Sequence, residues 1–376
     1  MNTISDLQNL IQGSVDTTPE TLTKASHDAS IFEIRPEAVI SPKNVEDIKK
    51  LVIYASEHPG VTLTARSGGT CMSGGSLTNS LVLDMTRHFN QIKEVGEGYA
   101  VTQPGVYYRD FDKATMDKGG QIMPSFPASR ELCTVGGMVA NNAGGEKTLT
   151  YGKTERYVRR LKAVFADGNE YEIKPLSLGE LEEKKKFSTF EGEVYRNMHE
   201  LISTNYDAIM QAKPIVTKNS CGYSLWNVWN KEKDTFDLTQ LIVGSQGTLG
   251  LITEIEFGLV RPKAYSHLLV VFLTDLQQLG ETAARILQFN PESFESYDDQ
   301  TLKVAFKFLP QLMKQMGGNL ITLGLQFVPE MIAVLEGGIP KLVLMAEFTA
   351  NTDEEALRMA TEAQASIKDL HEKSRV

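Results

Sequence analysis

The alternation of apolar and polar residues predicts a chain of short strands and amphipathic helices. After a polar N-terminal helix and the apolar segment AVISP, a second helix has Val45, Ile48 and Val52 on one face and Asn44 at its N-cap. The segments VTLTA and LVLDM alternate as strands do. Between them lies ARSGGTCMSGGS, residues 65–76, which holds four glycines in two pairs. The pattern therefore predicts two buried strands joined by an unusually glycine-rich loop.

The middle of the chain continues as short strands, loops and charged surface elements. LKAVFADGNEYEI predicts two strands that are joined by a turn at Asp167-Gly168. The charged stretch at 176–206 predicts a surface helix whose lysines face solvent.

After Pro262 the pattern changes, which predicts a separate unit. HLLVVFL and KLVLMAEFTA predict strands, whereas LQQLGETAARILQF, ESFESYDDQTLKVAFKFL and DEEALRMATEAQASIKDLHEK predict helices. We therefore predict an α+β chain with an N-terminal helical segment 1–30, a domain 31–262 with subdomains of about 31–95 and 96–262, and a domain 263–376.

Composition and charge narrow the possible partners. The 376 residues carry a formal charge of −10, which argues against nucleic acid and anionic membrane surfaces as main partners. The three cysteines lie far apart without a CxxC pair, so neither a metal site nor a disulfide framework is predicted. The longest apolar run is about six residues, too short for a transmembrane segment, and the start lacks a signal-peptide pattern. We expect a cytoplasmic protein.

Three segments rich in small residues share one chemistry. They are residues 65–76, 123–158 and 241–260, and each joins a strand to Gly, Ser, Thr, Ala or Asn residues. Backbone N–H groups without a neighbouring Cβ are typical of pyrophosphate sites. A glycine pair alone is more typical of a tight turn, but three such segments in one chain favour the binding interpretation.

Several other nucleotide and catalytic motifs are excluded. No GxGxxG opens a βαβ unit, and a P-loop ending in YGKT would need glycine where Lys147 stands. GxSxG and HExxH are absent as well. The six histidines are scattered along the chain, so we interpret them as surface or capping residues: His27, His58, His88, His199, His267 and His371.

Taken together, RSGGTCMSGGS, TVGGMVANNAGG followed by YGKT, and GSQGTLGLITE resemble a known family. It is the FAD-binding domain of the vanillyl-alcohol oxidase/p-cresol methylhydroxylase superfamily, in particular that of D-lactate dehydrogenase and of the FAD-binding subunit of glycolate oxidase. The resemblance covers about residues 30–262. It implies a two-part FAD-binding domain at 31–262, followed at 263–376 by a partial α+β cap or substrate domain with an antiparallel sheet.

The resemblance also implies a set of FAD contacts. In some relatives a histidine of the first loop holds FAD covalently, and Thr70 takes that position here, so a non-covalent flavin is expected. Gln246 stands where the family has glutamate, and residues 218–223 resemble a KNxxGY stretch whose side chains approach the flavin. The implied contacts are Arg66, Ser67, Gly68, Gly69, Thr70, Gly74, Gly75, Pro124, Ser129, Thr134, Gly136, Gly137, Asn141, Gly144, Gly244, Gly247, Thr248, Gly250 and Ile252.

The function that the resemblance implies is oxidation of a 2-hydroxy acid of the D-lactate or glycolate type. A hydride would pass to FAD, and the electrons to an acceptor other than NAD. The HxGDGNxH segment of the relatives is missing, and Asp167-Gly168-Asn169 is predicted to be a hairpin turn, so no catalytic residue is assigned.

Two alternatives remain open. One is an FAD-binding subunit or truncated fragment that needs a cap-supplying or electron-accepting partner chain. The other, which fits the loop spacing less well, is a flavin reductase of the cell-wall precursor type.

Overall fold

A computed structural model of the chain shows two compact units, Met1–Pro262 and Lys263–Val376. Within the described residues, no helix is both long and apolar enough to cross a membrane. The structure describes residues 3–216, 218–219, 222–315, 340–370 and 374–375.

The first unit begins with a four-stranded sheet that carries the first glycine loop. The strands are β1 (Ser14–Asp16), β2 (Ala38–Ser41), β3 (Leu63–Arg66) and β4 (Leu81–Asp84), in the order β1-β2-β4-β3. Three helices belong to this region: α1 (Thr3–Leu10), α2 (Pro19–Ala25) and α3 (Val45–Glu57). The side chain of Asn44 accepts the Asp47 N–H at 3.1 Å, so the predicted N-cap of α3 is confirmed. Because β3 runs parallel to β4, the loop after Arg66 leaves from the edge where both strands end.

The rest of the first unit surrounds a five-stranded antiparallel sheet, ordered β5-β6-β12-β7-β8. The strands of this whole region, including three outside that sheet, are β5 (Ile92–Gly96), β6 (Tyr99–Thr102), β7 (Val158–Val164), β8 (Glu170–Ile173), β9 (Leu176–Ser177), β10 (Trp229–Asn230), β11 (Thr235–Phe236) and β12 (Leu251–Gly258). The helices are α4 (Tyr108–Gly119), α5 (Val135–Ala140), α6 (Thr148–Tyr151), α7 (Leu178–Lys185), α8 (Phe190–Thr204), α9 (Tyr206–Gln211) and α10 (Thr239–Ile242). The short strands β9, β10 and β11 form a small sheet of their own, ordered β10-β11-β9.

The charged stretch at 176–206 differs from the prediction of one helix. It contains β9, α7 and α8, because two hydroxyl residues each begin a new helix. Ser177 accepts the Glu180 N–H at 3.3 Å while the Glu180 carboxylate accepts the Ser177 N–H at 2.8 Å, which is a capping box. Thr189 caps α8 by accepting the Gly192 N–H at 3.4 Å.

The second unit is a four-stranded antiparallel sheet with helices. The order is β14-β15-β13-β16, with β13 (Tyr265–Leu273), β14 (Ser293–Asp298), β15 (Leu342–Ala350) and β16 (Ser374–Arg375). The helices are α11 (Leu279–Leu287), α12 (Asp299–Gln315) and α13 (Asp353–Ser366). Leu269, Val271, Phe348 and Ala360 are fully buried in its core.

One prediction for this second unit is wrong. The ESFESYD half of the predicted helix forms β14, in which Phe294 pairs with Ala346 of β15. The helix begins only at Asp299, and the Asp298 carboxylate accepts the Thr301 N–H at 2.8 Å. Pairing with a long, buried neighbouring strand therefore overrides the local helical pattern.

Candidate functional site

The three small-residue segments meet in one cavity of the first unit, with about 990 Å³ of open space. Within the part of the chain that the structure describes, no charged side chain lines it, so we call it the neutral pocket. Of the expected FAD contacts, it is lined by Ser67, Gly68, Gly69, Thr70, Gly75, Ser129, Thr134, Gly136, Gly137, Asn141, Gly247, Gly250 and Ile252.

The first glycine loop contributes a row of unused backbone donors to the neutral pocket. The N–H groups from Ser67 to Met72 have no acceptor in the described ranges of the chain. Most of these residues are half-buried, and the loop turns at Gly69, where φ is +66°. Half-buried donors without partners are costly, so this loop is suited to an anion that supplies several acceptor oxygens.

Three glycines let the segments approach each other closely. A Cβ on Gly68 would lie 2.4 Å from the Leu132 carbonyl oxygen, and one on Gly136 would lie 2.4 Å from Pro104 Cβ. A Cβ on Gly75 would lie 2.6 Å from the Gln246 side-chain oxygen. These separations are shorter than any real Cβ contact. Gly68 and Gly136 are therefore required for the packing that builds the pocket wall, whereas the Gln246 side chain could move away from a residue at position 75.

Helix α5 plays a different part from the first loop. Its first N–H groups already have acceptors: Val135 donates to the Val106 oxygen at 2.9 Å and Gly136 to the Pro104 oxygen at 2.8 Å. Gly137 donates to the Thr134 hydroxyl at 3.3 Å. The helix therefore offers a small, close surface, as its glycines suggested, but few donors.

The loop before β12 is tied to the end of α5. Gly244 donates to the Val139 oxygen and Gln246 to the Ala140 oxygen, both at 2.9 Å. Gln246 has a φ of +53°, which non-glycine residues adopt rarely. The third segment is thus held against the second by backbone bonds, which places Gly247 and Gly250 in the neutral pocket.

Six expected contacts do not line the neutral pocket, and three of them are Arg66, Gly74 and Pro124. The Arg66 guanidinium donates to the carbonyl oxygens of Ala25 at 3.2 Å and His27 at 2.6 Å. Ala25 ends α2, and the carbonyl end of a helix attracts a cation. The Arg66 guanidinium is thus held at the end of α2, and its expected contact with the cofactor phosphates stays a prediction.

The remaining expected contacts lie in a second cavity of about 1070 Å³ of open space. Gly144, Gly244 and Thr248 line it, together with Lys153, Lys218, Asn219, Gly222 and Tyr223. We call it the lysine pocket. Asn141, Ala143 and Gln246 line both cavities, so the two pockets adjoin.

Lys153 and Tyr223 are two side chains of the lysine pocket that are held in place by hydrogen bonds. Lys153 is 9% exposed, and its ammonium donates to the Asn219 carbonyl oxygen at 2.7 Å. Burial lowers the pKa of Lys153; the nearby charge of Glu155 offsets part of this shift, and that of Lys218 adds to it. The Tyr223 hydroxyl lies 2.8 Å from the Thr248 hydroxyl. The KNxxGY stretch is thus at the site, although Ser220 and Cys221 lie outside the described residues.

Sequence reasoning missed several residues of the neutral pocket. Pro104 follows β6, and the Pro-Gly pair was the available signal: a Cβ on Gly105 would lie 2.1 Å from the Met85 oxygen. The others, apart from Met85, lie within the three small-residue segments but were not predicted to be contacts. They are Ala65, Cys71, Ser76, Met85, Pro127, Cys133, Met138, Ala140, Ala143 and Gln246.

The two cysteines of the neutral pocket have different environments. Burial raises the pKa of the Cys71 thiol, but hydrogen bonds from Ser73 and from the Gly75 N–H outweigh it, so that pKa lies below its ordinary value. Burial raises the pKa of Cys133 to about 11. Cys71 is therefore the more reactive of the two.

Histidines do not line either pocket among the residues described. Asp167-Gly168-Asn169 forms the turn between β7 and β8, with Gly168 at a φ of +75°, so the predicted hairpin turn is confirmed. In the same described ranges, no group of three or more His, Cys, Asp or Glu residues could hold a metal ion.

Comparisons with known proteins agree with this geometry. The family described as FAD binding domain matches residues 36–174. The D-2-hydroxyglutarate dehydrogenase of Escherichia coli (strain K12) is 29% identical over 284 residues, which are 74% of this chain and 28% of that protein. The glycolate oxidase subunit GlcD of Bacillus subtilis (strain 168) is 29% identical over 285 residues, 74% of this chain and 49% of that protein. The D-lactate dehydrogenase of Archaeoglobus fulgidus is 25% identical over 324 residues, 86% of this chain and 56% of that protein.

Solved structures show the same fold at low identity. An alkyldihydroxyacetonephosphate synthase superposes with a TM-score of 0.64 at 14% identity, covering 99% of this chain and 59% of that chain. The Physcomitrella patens BBE-like 1 variant D396N superposes with a TM-score of 0.59 at 12% identity, covering 96% of this chain and 60% of that chain. The α+β fold of the p-cresol methylhydroxylase type is therefore confirmed.

Fold and pocket together define an FAD-binding protein. The chain is a relative of the FAD-linked oxidoreductases named above, which confirms the resemblance and FAD as the cofactor. The unused donors of the first loop and the close-packed glycines fit a dinucleotide with a pyrophosphate. The chain spans 28% of the length of its E. coli relative, so the comparison alone does not assign that relative's activity to this chain.

Proposed function

We propose that this chain takes part in the FAD-dependent oxidation of a 2-hydroxy acid, with electrons passing to an acceptor other than NAD. The three relatives act, by their names, on D-2-hydroxyglutarate, glycolate or D-lactate, and each of these is a 2-hydroxy acid. The observation that carries the proposal is the pair of adjoining pockets, one suited to the cofactor and the other lined by lysines.

In this proposal the first loop holds the pyrophosphate of FAD. Its N–H groups from Ser67 to Met72 donate to the phosphate oxygens, and the hydroxyls of Ser67 and Thr70 lie in the same wall. The α5 glycines and Ile252 supply close apolar surface for the rest of the cofactor. Bound FAD supplies the acceptor for the hydride. Thr70 offers no attachment point of the histidine type, so the flavin is non-covalent.

A reductive titration tests this function. The protein is loaded with FAD, made anaerobic, and mixed separately with D-lactate, glycolate and D-2-hydroxyglutarate while the visible flavin absorbance is followed. We expect at least one hydroxy acid to bleach the flavin, and NAD to fail to restore the colour. No bleaching with any of the three would contradict catalysis by this chain.

The same experiment separates the proposal from the alternative of a dependent FAD-binding subunit, which the comparisons do not favour. Bleaching without a partner chain would contradict that alternative. Acid precipitation of the loaded protein tests the attachment of the flavin: yellow colour in the supernatant is expected, and colour in the pellet would show a covalent bond.

A further inference from the structure

We propose that Lys153 binds the carboxylate of the substrate in the lysine pocket. This inference rests on the proposed function and assigns a residue outside the cofactor contacts. It makes Lys153 the residue that selects for an organic acid, at the point where the two pockets adjoin.

The first support is a buried charge that forms no ion pair with the described residues. Lys153 is 9% exposed, and in the described part of the chain its one hydrogen-bond acceptor is the Asn219 carbonyl oxygen at 2.7 Å. In that same part, no carboxylate oxygen forms an ion pair with it within the usual 4.0 Å. An ammonium has three donors, and a buried, unpaired charge is costly. A cavity wall with such a group is suited to an anion.

The neighbouring acid is held elsewhere. Glu155 lies two residues further on, but the Asn142 side-chain amide donates to its carboxylate. The Glu155 N–H donates in return to the Asn142 side-chain oxygen at 3.1 Å. Asn142 reaches both groups from a left-handed conformation, with a φ of +47°. This pair engages the Glu155 carboxylate, whose charge still raises the pKa of Lys153 without forming an ion pair in the described chain, while Lys218 adds a second positive charge to the same pocket.

The second support is position. Thr154, next to Lys153, donates both its N–H at 3.0 Å and its hydroxyl at 2.8 Å to the Ala143 carbonyl oxygen. Ala143 lines both pockets, so these two hydrogen bonds fix Lys153 beside their junction. A Cβ on Gly144 would lie 3.3 Å from Lys153 Cγ, which shows how closely the lysine stem packs there. A substrate must be held next to the flavin for a hydride to pass.

The cofactor phosphates are the competing anion. The neutral pocket already offers them unused N–H donors from Ser67 to Cys71, and no charged side chain of the described chain lines that pocket. Lys153 does not line the neutral pocket; it lines the lysine pocket and a further cavity, which Glu155 and Arg156 also line. We therefore assign the two anions to different groups: phosphate to backbone donors and carboxylate to the ammonium.

The test measures anion binding without turnover. Oxalate, a carboxylate that flavin cannot oxidise by hydride transfer, is titrated calorimetrically into FAD-loaded wild type, Lys153→Met and Lys153→Arg. Lys118→Met, at an exposed lysine that lines neither pocket, is the matched control. Loss of one charged hydrogen bond predicts about 10- to 100-fold weaker oxalate binding in Lys153→Met. The arginine variant should retain part of the affinity, and the control all of it.

Three results would overturn the inference. They are equal oxalate affinity in wild type and Lys153→Met, a loss of FAD affinity in Lys153→Met, and inorganic phosphate binding as tightly as oxalate through Lys153. Thermal unfolding checks that the variant is folded, and Lys153→Gln replaces it if it is not. If hydroxy acids fail to bleach the flavin while oxalate still depends on Lys153, the proposed function fails and the carboxylate site stands.

Discussion

The two adjoining pockets of the first unit are suited to anions by different physical means. The neutral pocket offers fixed backbone dipoles from Ser67 to Cys71 and no charged side chain in the described chain. The lysine pocket offers a buried ammonium, that of Lys153, whose charge depends on pH. Backbone donors do not titrate, so pyrophosphate binding is expected to be insensitive to pH. Carboxylate binding should switch off when Lys153 loses its proton.

The largest effect should come from closing the neutral pocket. In Gly68→Ala the new Cβ would lie 2.4 Å from the Leu132 carbonyl oxygen, so backbone has to shift and the row of donors moves with it. We expect FAD affinity to fall by about 100-fold or more, the loss of two or three charged hydrogen bonds. Fluorescence quenching of FAD on titration with the apoprotein measures it.

Gly179→Ala is the control for this change. Gly179 lies in α7 with no atom within 4 Å of a new Cβ, so FAD affinity should be unchanged. Alanine in a helix should also raise the free energy of unfolding by about 0.5–1 kcal/mol. Wild-type FAD affinity in Gly68→Ala would contradict the assignment of this loop.

The second effect separates the pockets by pH. Burial lowers the pKa of Lys153, so the ammonium loses its proton at a pH below the ordinary lysine value of 10.5. Oxalate affinity of the FAD-loaded protein should then fall about tenfold for each pH unit above that lowered pKa. FAD affinity should stay constant over the same pH range. An equal decline of FAD and oxalate affinity would contradict the assignment of phosphate to backbone donors and of carboxylate to the ammonium.

The same titration has a consequence for stability. Between the lowered pKa of Lys153 and 10.5, the unfolded chain binds the lysine proton and the folded chain does not. The free energy of unfolding of the wild type should therefore rise with pH relative to Lys153→Met in that window. Chemical denaturation of both proteins at several pH values measures the difference, and a falling difference would show that the ammonium is stabilised in the folded state.

A smaller effect distinguishes the two cysteines of the neutral pocket. Cys71 is half-buried with a lowered pKa, whereas Cys133 is buried with a pKa raised to about 11. Iodoacetamide should label Cys71 faster in the apoprotein, and bound FAD should slow that labelling while Cys133 stays slow throughout. Peptide mass spectrometry reads both sites. Equal labelling of Cys71 with and without FAD would place the cofactor elsewhere.

The smallest effect is on the fold alone. Glu254 of β12 is 8% exposed and accepts from Lys93 at 2.5 Å and from Arg160 at 2.9 Å. Glu254→Gln weakens both bonds, which should lower the free energy of unfolding by about 1–2 kcal/mol. Glu254 lines neither pocket, so FAD and oxalate affinities should not change. Weaker FAD binding in this variant would mean that the sheet and the neutral pocket are coupled.

The sequence predicted the site best where glycines mark the close approach of chain segments. Glycine at Gly68, Gly75 and Gly136 reports that other backbone or side chains come close, and the structure brings the three segments together. Side-chain direction was not readable in the same way. Arg66 ends a strand, and its partners Ala25 and His27 lie about 40 residues earlier, so no local pattern could show where it turns.

The sequence did not indicate Lys153 as a site residue, for a related reason. It stands in YGKT beside Glu155, and sequence alone suggests a solvated charge pair. Only the fold shows that Asn142 takes the carboxylate and that the ammonium is buried. The strand β14 was missed because its partner, β15, lies more than 40 residues further along the chain.

Backbone amide hydrogen exchange tests the central assignment most directly. FAD should slow exchange from Ser67 to Met72 by about tenfold or more, because these donors gain their first acceptors. The first amides of α5, Val135 and Gly136, already have acceptors within the protein and should change little. Protection of α5 with no protection of the first loop would contradict the account.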